Sequence, residues 1–260
     1  MHAVMLDADT LGAHPDLSPL KQAVDTLTLF DNTPADLAVA HAKDADTIIS
    51  SKVLITDEII AALPKLKLIC SVGTGTDHIA VEAARKHGVD VRNVKAFGSK
   101  SIAQHTMMLM LALAGNLLPY RHAIAEEGAW STEVSFTKRL RLMQQLSGKK
   151  LTLVGQGSIG SEVARLAEAF GMQVRFSARP GKKEDDRPTL ESLLPETDVL
   201  SLHCPLTPES EHLIDQRALD ALPETALLIN CARGKVIDNE AALAALKAGT
   251  IAGLGVDTLD

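Results

Sequence analysis

Three glycines and one arginine carry the chemistry this sequence offers. LTLVGQGSIGSEVARLAEAF sets Gly155, Gly157 and Gly160 between an apolar strand pattern and a helical one. In that context a G-x-G-x-x-G triplet reads as a dinucleotide site. Gly155 permits the tight turn, Gly157 lets the backbone approach a pyrophosphate, and Gly160 lets the helix pack on the strand. The helix start then offers free N–H groups and a positive dipole end to the phosphates. An NAD-type site places an acid roughly 20 residues further on, at the ribose 2′-hydroxyl. FSARPGKK holds no carboxylate there; the first is Glu184. Arg179 could pair a 2′-phosphate, with Ser177 donating a hydrogen bond, so NADP is favoured over NAD. Alternatively Arg179, Lys182 and Lys183 form only a solvated loop. In ALLINCARGKVID, Arg233 follows a buried strand at the edge where open α/β sheets bind ligands. Its planar fork suits a carboxylate, which suggests an anionic substrate; alone, it could equally serve a structural ion pair.

Alternating short elements must position these residues. AVMLDA, TLTLF, DTIIS and LKLICSV read as strands, with helices at ADLAVAHAK, TDEIIAAL and AVEAARKHG. Such alternation predicts a parallel sheet covered on both faces. From Ser99 to Leu118 a single long helix is expected, then a polar arm over 119–147 with the lone Trp130. After Gly148 the alternation resumes, with strands at KKLTLVG, QVRFSA, VLSLHC, ALLINCA and AGLGV and helices at SIGSEVARLAEAF and NEAALAALKAG. The expected fold class is α/β, two Rossmann-like doubly wound parallel-sheet domains. Residues 1–98 form a flavodoxin-like substrate domain. Residues 99–260 form the NAD(P)-binding Rossmann domain, which includes the linker helix and arm over 99–147.

Composition removes several classes. The net charge of −7 argues against a nucleic-acid binder. Three cysteines without a C-x-x-C pair fit a reducing compartment better than a disulfide framework. The first residues lack the pattern of a signal peptide, and the run MMLMLALAG is too short to span a bilayer. A cytoplasmic protein with no membrane partner is expected. No histidine pair has metal-ligand spacing, so no metal is expected.

GQGSIG, LHCPLT, INCARGKVID and GVDTLD, in this order, resemble the D-isomer-specific 2-hydroxyacid dehydrogenases, closest to the glycerate dehydrogenase or hydroxypyruvate reductase branch. TGTDHIA and SIAQHT match the family's substrate loop and the helix start joining its two domains. The resemblance implies an NAD(P)-linked interconversion of a small 2-keto acid, hydroxypyruvate or glyoxylate, and a D-2-hydroxy acid, in a cleft between domains. Thr74 and Gly75 then correspond to amides holding the substrate carboxylate, and Arg233 to the arginine that binds and polarises the substrate. Gly157, Ser158 and Ile159 fall on the phosphate turn, while Cys204, Pro205 and Thr207 flank the adenosine. Cys231 and Ala232 lie beneath the nicotinamide, and Asp257 bonds its carboxamide. A homodimer is implied. The family's proton-donating His and its Glu partner belong beyond Asp260. The sequence is thus expected to be interrupted, and these 260 residues alone to turn over weakly. The alternative is a non-catalytic NAD(P)-binding protein, like the C-terminal-binding protein corepressors.

Overall fold

The computed structural model describes residues 1–131, 139–182 and 184–259. Lys183, Asp260 and part of the expected arm lie outside the described residues. The chain divides into two compact units, Met1–Phe97 and Gly98–Asp260.

The first unit holds β1 (His2–Met5), α1 (Ser18–Ala23), β2 (Thr26–Leu29), α2 (Ala38–Ala42), β3 (Thr47–Ser50), α3 (Asp57–Ala61), β4 (Leu68–Ser71), α4 (Val81–Lys86) and β5 (Asp90–Arg92). Its five strands are parallel in the order β2-β1-β3-β4-β5, the flavodoxin-like arrangement. All four residues of the central β3 are buried, as expected of a parallel strand covered on both faces. The carboxylate of Asp7 is also buried. It accepts from Ser50 Oγ (2.9 Å) and from the Ser51 and Lys52 amides, which closes the turn after β3.

The second unit holds α5 (Ser99–Ala114), α6 (Leu117–Arg121), β6 (Lys150–Val154), α7 (Ser158–Ala169), β7 (Gln173–Phe176), α8 (Leu190–Leu193), β8 (Val199–Leu202), α9 (Gln216–Asp220), β9 (Leu227–Asn230), α10 (Asn239–Ala248) and β10 (Gly253–Val256). Its parallel sheet runs β10-β9-β8-β6-β7. Register places Val154 opposite Leu202, Leu202 opposite Asn230, and Asn230 opposite Val256. Four strands therefore end in one level row. The next residues, Gly155, His203, Cys231 and Asp257, stand together at the C-terminal edge.

The long helix expected through Leu118 breaks at Gly115–Asn116. Asn116 adopts φ 53°, ψ 38°, a left-handed conformation that Asn tolerates better than most residues. Pro119, which has no N–H to donate, falls in the first turn of the restarted helix. The chain turns by 60° there, and among the described residues no single helix is long and apolar enough to cross a membrane. Short α1, α8, α9 and β5 carry too little pattern to announce themselves in the sequence.

Candidate active site

Gly155 sits at φ +105°, and a Cβ there would lie 2.5 Å from the His203 carbonyl oxygen. A Cβ on Gly160 would lie 2.0 Å from the Gly155 oxygen. Backbone against backbone leaves no room for a side chain at either position. Gly157 differs: a Cβ there would meet nothing within 4 Å. The space in front of the turn is open, and α7 begins directly behind it at Ser158 and Ile159. An anionic pyrophosphate fits this arrangement, because the first amides of α7 have no carbonyl ahead of them.

His203 closes the turn from below. Its Nε2 lies 2.9 Å from Ser201 Oγ, while Nδ1 is buried with no protein partner among the described residues. Burial pushes its imidazole down to about 4, from about 6.5 in an open chain. The unfolded chain therefore binds a proton between those values that the folded chain refuses. Stability from the neutral ring is complete above about pH 6.5 and is lost as pH falls toward about 4, a change of about 3 kcal/mol. Urea unfolding at stepped pH should show this acid limb in the native chain and a flatter one in His203→Gln. Identical limbs would rule His203 out as its source.

On the far side of the turn, the end of β7 departs from expectation. Ser177 is fully buried, because its amide continues the ladder to Leu153 O (3.0 Å) and draws the residue into the sheet. Its hydroxyl donates to the Ala178 carbonyl (3.2 Å), so it is not presented to a ligand. Arg179 is exposed, and among the described residues no carboxylate pairs with its guanidinium. A carboxylate does return to this strand end, though from further along the chain than the motif requires. Asp185 accepts from the Arg179 amide (3.1 Å) and from Arg187 Nε (2.8 Å). Arg187 hydrogen-bonding holds the Asp185 carboxyl well below the usual carboxylate range, and Arg187 Nη1 reaches Gln156 of the glycine turn (3.3 Å). Next to this loop is the one that follows β8. A Cβ on Gly181 would lie 2.4 Å from Glu209 Cγ. Within that loop Ser210 Oγ donates to Pro205 O (2.7 Å) and accepts from the Thr207 amide (2.8 Å). Cys204 is buried, which pushes its thiol up to about 11.

Beyond β9, a residue that motif reading passed over fixes the geometry. Asn230 is buried, and its Oδ1 accepts from the Ala232 amide (3.0 Å) while Nδ2 donates to Arg233 O (2.9 Å). Its own carbonyl accepts from the Asp257 amide (3.0 Å). One side chain thus sets the Cys231–Arg233 turn, and its backbone anchors Asp257. The signal was present as an Asn ending an otherwise apolar strand, where a buried amide needs partners. The partly buried Arg233 points Nη1 to Ala232 O (2.9 Å). Cys231 and Ala232 are each 7% exposed; burial raises the Cys231 thiol against a lowering hydrogen bond from Thr106. Asp257 pairs through Oδ1 with His105 Nε2 (3.1 Å), both about half exposed.

In the first unit, the loop after β4 carries Thr74 and Gly75. Its carbonyls are taken: Gly73 O by the Val94 amide (3.1 Å), Thr74 O by Asn93 Nδ2 (2.6 Å), Gly75 O by Ser71 Oγ (2.7 Å). Thr74 Oγ1 donates to Val94 O (3.0 Å). With the carbonyls turned to protein, the loop's amides suit a carboxylate.

Comparison with known proteins places the chain among characterised families. The model of the D-isomer specific 2-hydroxyacid dehydrogenase NAD binding domain matches residues 107–260. Glycerate dehydrogenase of Methylorubrum extorquens is 34% identical over 228 residues, 87% of this chain and 71% of that protein. Glyoxylate reductase of Aeropyrum pernix is 32% identical over 241 residues, 89% of this chain and 71% of that protein. An NADPH-dependent glyoxylate/hydroxypyruvate reductase from Sinorhizobium meliloti, solved with NADP and malonate, superposes with TM-score 0.83 at 25% identity, covering 100% of this chain and 79% of that one. The chain belongs to the D-isomer-specific 2-hydroxyacid dehydrogenases and is a nicotinamide-dependent oxidoreductase of that family.

Proposed function

We propose that the protein reduces a small 2-keto acid, glyoxylate or hydroxypyruvate, to the D-2-hydroxy acid with NADPH. The observation that carries the reading is the shared edge of the second sheet, where the glycine turn, Arg233 and Asp257 follow level strand ends. The nicotinamide supplies the hydride when bound. Gly157, Ser158 and Ile159 hold the pyrophosphate, with Gly155 and Gly160 shaping the turn. Cys204, Pro205 and Thr207 border the adenosine. Cys231 and Ala232 would lie against the nicotinamide, and Asp257 would accept from its carboxamide. Arg233 binds the substrate and draws charge toward the carbonyl oxygen. Fixing both reactants turns a bimolecular encounter into a near-attack geometry.

Preference for NADPH rests on Arg179, an exposed cation at the end of β7 with no carboxylate partner among the described residues, and on the engagement of Asp185 by Arg187. The relatives named above are a dehydrogenase and reductases, which supports an enzyme over a corepressor-like binding protein. A homodimer is supported by the apolar side chains exposed on α5 and α6, Met108, Leu111, Leu117 and Leu118. Sedimentation at the 27.7 kDa mass of one chain would count against it.

The test is calorimetric titration with NADPH and NADH, beside NADPH consumption with each keto acid. Arg179→Met should weaken NADPH about tenfold and leave NADH unchanged, the worth of one charge-assisted hydrogen bond. Failure of the native chain to bind either dinucleotide would sink the reading. Equal effects of Arg179→Met on both cofactors would sink the NADPH preference alone.

A further inference from the structure

We infer that His105 of α5 is a positioning residue for the nicotinamide, acting through Asp257. The inference rests on the cofactor reading above and adds a residue to it. Three contacts on one face of α5 place this histidine. A Cβ on Gly253 would lie 3.2 Å from Leu113 Cδ2, and one on Gly255 would lie 3.3 Å from Leu109 Cβ. His105 Nε2 lies 3.1 Å from Asp257 Oδ1.

The spacing explains the match. Residues 113, 109 and 105 recur every four positions on the helix, about 6 Å per step. Residues 253, 255 and 257 recur every two on the strand, about 6.6 Å per step. Helix and strand therefore run in opposite senses with their repeats nearly commensurate. Two glycines strip the strand of side chains so that α5 lies close against it. The third position on that face restores a side chain, and it is the carboxylate. Past the end of β10 this face meets the helix with a polar pair instead of an apolar contact.

Packing does not require the pair. Its members are 39% and 42% exposed, and an ion pair so open to water adds little to stability. Its geometric effect is larger. The Asp257 backbone is fixed by its amide bond to Asn230 O (3.0 Å). His105 engages Oδ1, which fixes the rotation of the carboxylate about its stem. The second oxygen is then aimed for the N–H of a carboxamide.

The experiment uses the intact chain and three probes: NADPH, the 3-acetylpyridine analogue of NADP and 2′-phospho-ADP-ribose. The analogue has no carboxamide N–H to donate, and the third probe has no nicotinamide. His105→Ala should weaken NADPH about tenfold, the worth of one hydrogen bond to a charged group. Binding of the other two probes should be unchanged. His105→Gln, which keeps an N–H donor at similar reach, should restore most of the loss. In Asp257→Asn, removal of His105 should have no further effect. Equal weakening of all three probes would make His105 a packing residue and overturn the inference, as would unchanged NADPH binding in His105→Ala. If the native chain binds none of the probes, the cofactor reading itself falls.

Discussion

Arg233→Ala is expected to cost at least about a hundredfold in affinity for oxamate, a non-reducible 2-keto acid analogue, measured with NADPH present. Two charge-assisted hydrogen bonds from one guanidinium are each worth about 1.5–3 kcal/mol, which sets that scale. NADPH binding should change by less than about twofold. The reason lies in Asn230, which holds this turn through backbone atoms at Ala232 and Arg233, not through the arginine side chain. The turn should therefore survive truncation. Arg233→Lys should recover only a small part of the loss, because an ammonium cannot present two parallel donors to a planar group. Oxamate binding to Arg233→Ala at native affinity would show that the guanidinium faces the protein rather than the substrate.

The second large effect separates two glycines that look alike in the motif. Gly160→Ala would put a methyl group 2.0 Å from the Gly155 oxygen. Neither partner is a flexible side chain, so the turn or α7 must move. Unfolding free energy should fall by about 2 kcal/mol, in the range for overpacked sites, and affinity for NADPH and NADH should fall together by about a hundredfold. Gly157→Ala meets no protein atom within 4 Å. Its stability should change by less than about 1 kcal/mol, since the narrower unfolded ensemble of alanine is offset by its poorer fit at the N-cap of α7, yet both dinucleotides should bind at least about tenfold more weakly. Native binding by Gly157→Ala would place the pyrophosphate elsewhere on the turn.

What could be read from the sequence follows from how local each cause is. Apart from the short β5, the strands of both sheets were legible because parallel strands are dominated by apolar runs, as in TIIS or VLSL. The glycine turn was legible because its strand, loop and helix are contiguous. Ser177 was misread as a ligand donor because its direction depends on the ladder bond to Leu153, a nonlocal fact. Asp185 escaped notice for a similar reason: a folded loop returns it to the Arg179 amide, several residues later than a motif count would look. The break at Asn116 was hidden by the apolar run around it. The pairing of His105 with Asp257 spans most of the second unit and depends on two glycines that remove side chains from the strand between them.

The level row formed by Val154, Leu202, Asn230 and Val256 also bears on how such a chain can diverge. It acts as a datum line. Deleting one residue inside β8 or β9 would shift every later side chain of that strand to the opposite face, and would bring the wrong neighbour to the edge. Length changes past the line carry no such penalty, since doubling a surface loop costs only about 0.6 kcal/mol in closure entropy. Lineages of this protein should therefore keep strand lengths fixed while insertions and deletions collect in segments such as 178–188 and 204–210, where ligand preference can drift without disturbing the frame.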